Sequence, residues 1–295
     1  MTEQSFRVRL SFWGTETEYY FPTREDAEHI ANYFAEHLSA AVEPKQSFFF
    51  RTSRGGFIAG LTDETVEKEI WHLVEGQDWV LWDRFEQKSK RETPLPPFTL
   101  PPLSTDYGFF HAAALATPDG HGGLFMGPSF SGKSALSLKL AFAGWGLLTD
   151  DLAAIRVEDR TIQAFRRPIG IRDNTFNLVP ELLAAVAGNT KSTKIDFGDV
   201  STHMVHASAL GLPWLPNKTP LQFLVSLCNE PGQGPAMLVD CPQEDKIRTL
   251  QKNLNGNQLP VWIKGLPCWT LRYDLETQLD QVASCLNSKL ESCHF

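Results

Sequence analysis

One eight-residue run constrains this chain more than any other feature: Gly127-Pro128-Ser129-Phe130-Ser131-Gly132-Lys133-Ser134, a full match to G-x-x-x-x-G-K-[ST]. The glycines allow backbone angles closed to other residues, so successive main-chain N–H groups can point inward at phosphate oxygens. The flanks agree. Residues 123–126 read as an apolar strand. Residues 133–143 read as a helix carrying Leu136, Leu138, Leu140 and Ala141, closed by Gly144. The helix would add its positive N-terminal end to the site. Lys133 supplies a point charge for terminal phosphates, and the Ser134 hydroxyl suits Mg²⁺. A chance glycine-rich turn is the bland alternative, and it does not account for the strand and helix. Strand, phosphate loop and helix in this order call for an α/β fold.

Asp150 and Asp151 begin 150 − 134 = 16 positions after Ser134. A helix over residues 133–143 rises about 1.5 Å per residue and carries the chain roughly 16 Å from the phosphates. Gly144-Trp145-Gly146 turns it, and a strand of about four residues at roughly 3.3 Å each returns it most of the way. The carboxylates therefore arrive beside the loop. Neighbouring side chains on a strand point to opposite sides, which gives the two different tasks. One can hold Mg²⁺, directly or through water, and the other can accept a proton from an attacking hydroxyl. A solvated turn or helix cap is the competing interpretation, and the apolar Leu147-Leu148 before the pair favours a strand end.

His111 lies in the run Phe109-Phe110-His111-Ala112-Ala113, within an expected strand over residues 109–117. A hairpin about Gly120 pairs residues whose numbers sum to about 240, which sets His111 opposite Ser129 at the mouth of the loop. A lone strand histidine is otherwise a core residue, so both readings stand. Arg166, Arg167 and Arg172 flank Pro168-Ile169-Gly170-Ile171. They can clamp phosphate or an acidic substrate, or form a solvated basic face. Arg167 is the best placed for nucleotide, directly before Pro168 after an expected strand.

The remaining sequence sets the frame. At 295 residues the chain is long enough for about two domains. Residues 1–90 read as a small N-terminal α+β domain, with a hairpin about Gly14 and a helix capped at Thr23. Strands are expected at residues 48–52, 57–61 and 79–84, and a helix at residues 63–74 after a Thr62 cap. Residues 91–105 hold Pro94, Pro96, Pro97, Pro101 and Pro102 and read as a linker. Residues 106–295 form the α/β part, with later strands at 146–149, 153–157, 221–228, 237–239 and 268–273. A C-terminal helix carries Leu275, Leu279, Val282, Leu286 and Leu290. Residues 188–218 are polar and weakly periodic and give no pattern to assign. A formal net charge of −8 makes nucleic acid an unexpected partner. No apolar run approaches the ~20 residues of a membrane span. The start of the chain does not resemble a signal peptide. Five cysteines without a Cys-x-x-Cys pair argue against a disulfide framework or structural zinc, and a reducing cytoplasm is expected.

With the loop, the Asp-Asp pair and the upstream histidine in place, residues 110–155 resemble the HPr kinase/phosphorylase family. The matching residues are His111, Gly127, Gly132, Lys133, Ser134, Gly144, Asp150 and Asp151. The resemblance implies a catalytic-domain fold related to phosphoenolpyruvate carboxykinase rather than to ordinary P-loop GTPases. It implies ATP and Mg²⁺ as cosubstrate and cofactor and transfer to a serine-type hydroxyl. In that scheme Asp150 is the base and Asp151 a metal-linked carboxylate. His111 sits beside Asp150, and Ser134 ligates the metal. It also implies a homo-oligomer. Ala135 stands where that family usually has Glu, and its glycine-rich signature before a second metal-linked Glu is not recognisable. The expected acceptor is therefore a peptide, protein or small molecule other than HPr.

Two alternatives belong to other classes. A P-loop ATPase or nucleotide-sensing switch would need no phosphoacceptor. The guanine-reading Asn-Lys-x-Asp is absent, the only Asn-Lys being Asn217-Lys218-Thr219-Pro220, and the aspartates come early after the loop. A protein that binds ATP without catalysis is disfavoured by retention of Lys133, Ser134, Asp150 and Asp151.

Overall fold

The computed structural model describes residues 5–40, 43–53, 55–57, 65–88, 106–187, 193–197, 200–232, 234–255 and 259–293. The chain divides into two compact units, Met1–Ser104 and Thr105–Phe295. The expected linker at 91–105, the Thr62 cap and all of the expected strand at 57–61 except Phe57 lie outside the described residues.

In the first unit, β1 (Phe6–Phe12) and β2 (Thr15–Phe21) form the expected hairpin. Its two turn residues, Trp13 and Gly14, both take positive φ (51° and 77°), as a two-residue turn between right-twisted strands requires. Helix α1 (Arg24–Tyr33) is capped by Thr23, whose side-chain oxygen accepts from the Asp26 N–H at 3.1 Å. Then follow β3 (Gln46–Thr52), β4 (Thr65–Val74) and β5 (Val80–Lys88), completing a sheet in the order β1-β2-β3-β4-β5.

The helix expected at residues 63–74 is instead the interior strand β4, paired antiparallel on both sides. Its inward positions are Val66, Lys68, Ile70 and His72, all buried. Two of those four are polar, which hides the period-two alternation behind an apparently helical mix. Each is satisfied inside: Lys68 Nζ donates to the Phe57 carbonyl at 2.6 Å, and His72 Nε2 lies 3.1 Å from Gln46 Oε1.

In the second unit, β6 (Tyr107–His111) and β7 (Ala113–Ala116) replace the single strand expected at 109–117. The break falls at Ala112, whose N–H turns back to the Phe110 carbonyl at 2.9 Å. β8 (Gly122–Met126) leads into the loop, α2 (Lys133–Phe142) follows it, and β9 (Gly146–Thr149) returns toward it. Next come β10 (Leu152–Arg156), β11 (Thr161–Gln163), β12 (Ile169–Arg172), α3 (Asp173–Leu178) and α4 (Glu181–Ala187). Within the segment that gave no sequence pattern lie β13 (Thr193–Phe197) and β14 (Val200–Val205), which with β12 form a three-stranded sheet. The chain continues through β15 (Lys218–Asn229), β16 (Met237–Asp240), α5 (Gln243–Asn253), β17 (Leu254–Asn255), β18 (Cys268–Tyr273) and α6 (Leu275–Glu291).

The large mixed sheet runs β17-β6-β10-β11-β15-β8-β7-β9, with β18 joining β15 and β16 joining β18. The architecture is mixed α/β. β15 is its spine, parallel to both β8 and β18. Both faces of this centre are covered, which is why its strands are apolar throughout rather than alternating. Ala113, Leu115, Phe125 and Leu147 face a core shared with α2 and α6. Ala114, Ala116, Leu124, Met126 and Leu148 face a second core with Leu250 of α5. No helix among the described residues is long and apolar enough to cross a membrane.

The strand that delivers the loop is locked by close packing. A Cβ on Gly123 would come within 2.1 Å of the Phe223 ring. Gly123→Ala should therefore lower unfolding free energy by about 1–3 kcal/mol in chemical denaturation. An unchanged midpoint would contradict this packing.

Candidate active site

The loop's shape follows from contacts at both of its ends. A Cβ on Gly127 would sit 2.6 Å from Ser131 Oγ and 3.1 Å from Leu227 Cβ, so only glycine lets the chain leave β8 in this direction. Gly132 takes φ 88°, and a Cβ there would meet Tyr273 Oη at 2.8 Å. Phe130 also takes a positive φ, 66°, at a cost of about 1 kcal/mol for a side chain of this kind. The Tyr273 hydroxyl donates to the Ser131 carbonyl at 2.6 Å and props the loop from the end of β18.

The first N–H groups of α2 have no intrahelical partners, and no side chain among the described residues caps them. They are the amides the sequence assigns to phosphate. Lys133 is buried, and its ammonium donates to the Gly127 carbonyl at 2.8 Å and the Pro128 carbonyl at 3.1 Å. Burial lowers its pKa, while the charges of Asp151 and Asp150 raise it. The loop lysine and both aspartates thus share one electrostatic environment. Ser134 is half-buried at the start of α2.

β9 is buried along its whole length and ends directly before Asp150, itself only 5% exposed. Burial pushes the Asp150 carboxyl up to about 6, the neighbouring Arg167 pulling it down and Asp151 pushing it up. Its Oδ1 has no hydrogen-bond partner among the described residues. A water-sized cavity of about 10 Å³ lies against it, lined by Leu148, Phe165, Arg166 and Arg167 among others.

Asp151 faces the opposite environment. Burial works against its charge, but a hydrogen bond from His111 and the charges of Arg167, His111 and Lys133 outweigh it and hold the carboxyl at about 2. Arg167 Nη2 donates to Asp151 Oδ2, and His111 Nδ1 lies 3.1 Å from Asp151 Oδ1. One carboxylate is fixed and ionised. The other is poised near neutrality, the separation expected of an acid–base pair with distinct tasks.

His111 reaches this site by a route other than the one expected. The β7–β8 hairpin has pairs summing to 238, such as Ala113 with Phe125, and His111 is not part of it. It ends β6 and pairs with Leu152 of β10, which brings it to Asp151 rather than to Asp150. Of the three arginines, Arg167 is at the site. Arg166 is bound by the Leu215 and Pro216 carbonyls at 2.7 and 2.6 Å. Arg172 lies over the Phe130 ring, 4.5 Å from its centroid. Nothing local in the sequence marks Tyr273, which lies 142 positions from Ser131. No group of three or more His, Cys, Asp or Glu able to hold a metal is present among the described residues.

No protein-family model matches the chain, and no curated protein matches it by sequence. Among solved structures it is similar to the HPr(Ser) kinase/phosphatase from Coxiella burnetii, at 15% identity and a TM-score of 0.34. That alignment covers 62% of this chain and 97% of the other.

The raised carboxyl at Asp150 has a consequence for stability. The folded protein binds that proton more tightly than the unfolded chain does. The destabilisation is therefore absent below the ordinary value of 3.8, grows as pH rises and is complete above about 6. Asp150→Asn should stabilise the protein by up to about 3 kcal/mol above pH 6 and by little near pH 4. Denaturation curves at the two pH values provide the check, and equal effects at both would refute the assignment.

Proposed function

We propose that this chain is a kinase: an ATP- and Mg²⁺-dependent phosphotransferase that moves a terminal phosphate to a hydroxyl of a peptide, protein or small molecule. The observation that carries it is geometric: buried Asp150 ends β9 beside Asp151, which Arg167 and His111 hold, and both carboxyls act on the loop's Lys133. We also assign the second unit to the HPr kinase-like, phosphoenolpyruvate carboxykinase-like group of P-loop folds. The order of hairpin, loop, helix and short strand ending in Asp-Asp supports this. The first unit, about residues 1–90, is assigned to recognition of acceptor or partner.

The residues present fit the nucleotide and its metal. Among the described residues Lys133 is held only by main-chain carbonyls, so no ion pair there has to break before it binds phosphate. The uncapped start of α2 adds oriented N–H groups from Gly132 to Ser134, and the run from Gly127 through Pro128, Ser129, Phe130 and Ser131 forms the wall. Ser134 would ligate Mg²⁺, and Asp151, whose oxygens are engaged by Arg167 and His111, would hold it through water. When bound, the metal neutralises charge on the transferring phosphate and helps align it.

The chain's own contribution is positioning and proton handling. Asp150, ionised above about pH 6, accepts the proton of the acceptor hydroxyl. The hydroxyl oxygen bonds to phosphorus while the bond to the departing diphosphate breaks. Arg167 and His111 keep Asp151 ionised and oriented, and Lys133 offsets charge on the phosphates.

Incubation with γ-labelled ATP, Mg²⁺ and a mixture of candidate acceptors tests the proposal. Label should move to an acceptor, with a rate that rises with pH and levels off above about 6. Lys133→Ala should abolish transfer, and Asp150→Asn should reduce it by about 10²- to 10⁴-fold. Free phosphate released at the same rate with and without acceptor would replace the kinase by an ATPase.

A further inference from the structure

Of the three arginines around Pro168–Ile171, two are committed. Arg166 is bound by the Leu215 and Pro216 carbonyls and the Asn217 side chain. Arg167 is paired with Asp151. Arg172 forms no ion pair with a carboxylate among the described residues, and its guanidinium instead lies over the ring of Phe130, 4.5 Å from the centroid. Phe130 is a loop residue, 76% exposed, with its backbone in the left-handed region. A large aromatic in that setting gains nothing from burial. What it does is hold a cation at the edge of the phosphate site.

Resting on the kinase reading above, we propose that Arg172 is the residue that reads the outermost phosphate. Its guanidinium leaves the Phe130 ring to bind that phosphate and so distinguishes a nucleoside triphosphate from a diphosphate.

Charge balance supports this. Lys133 and Arg167 face Asp150 and Asp151. Arg167 is ion-paired to Asp151, which leaves Lys133 as a single cation for a polyphosphate of several negative charges. Arg172 is a second cation with no carboxylate partner among the described residues. Its base is rigid and its head is not. β12 pairs with β14 through Arg172 and Thr202, and Ile169 and Ile171 are buried in the core, while the Arg172 side chain is exposed. An exposed cation–π contact is weak, whereas a guanidinium can bind phosphate through two charge-assisted hydrogen bonds. The contact with the ring is therefore easily exchanged for one with phosphate.

Calorimetric titration of the full chain with Mg²⁺–ATP and Mg²⁺–ADP tests the assignment. Arg172→Gln should weaken ATP binding by about tenfold and ADP binding by less than about twofold, and Arg172→Lys should recover part of the loss. The thermal midpoint of the unliganded variant should match wild type, since the side chain is exposed. Phe130→Leu, which removes a contact made only before phosphate binds, should leave ATP binding unchanged or slightly tighter relative to ADP. Equal loss for both nucleotides, or a loss seen only in acceptor KM, would overturn the assignment. Failure of wild type to bind either nucleotide would defeat the kinase proposal itself. Wild-type ATP binding left intact by Arg172→Gln would defeat only the role given to Arg172.

Discussion

Because β9 is buried along its length, Asp150 enters the interior with desolvation opposing its charge and, among the described residues, no partner for one of its oxygens. The surrounding structure relieves that only in part. Arg167 lowers the cost from a distance but spends its hydrogen bond on Asp151. The adjacent carboxylate raises the cost again. A chain selected only for stability would place an amide or an apolar group here. A carboxyl kept near neutrality suits proton transfer, at the expense of fold stability.

The loop answers to the same layout. β8, β15 and β18 run parallel, so their C-terminal ends deliver the loop, Leu227 and Tyr273 to one edge of the sheet. Leu227 and Ser131 leave no space for a side chain at Gly127, and Tyr273 and Leu275 leave none at Gly132. Tyr273 also holds the Ser131 carbonyl. Residues far apart in sequence thus shape the cradle, while its phosphate-facing amides and lysine come from one short run. Open sheets place ligands at strand ends in this way.

Legibility in the sequence followed how local the cause was. The strands at Gly146–Thr149 and Cys268–Tyr273 have the boundaries expected of them, because apolar runs bounded by glycine, proline or aspartate need no tertiary information. The contacts of His111 were not legible. They depend on the break at Ala112, which moves the strand from β8 to β10, and no residue preference marks that break. The helix expected over residues 63–74 failed because Lys68 and His72 sit inward. Their partners, Phe57 and Gln46, lie outside any local window. Tyr273 and the Phe130–Arg172 contact were hidden for the same reason.

Everything functional depends on the amides of Gly132 to Ser134 and the carboxylates of Asp150 and Asp151 facing one bound nucleotide. Paramagnetic NMR with Mn²⁺ and a non-hydrolysable ATP analogue measures this directly. Saturable broadening of the backbone resonances of both segments together, removed by excess Mg²⁺, is the expected result. Broadening at the loop with Asp150 and Asp151 left sharp would place the acidic pair away from the metal and contradict the account.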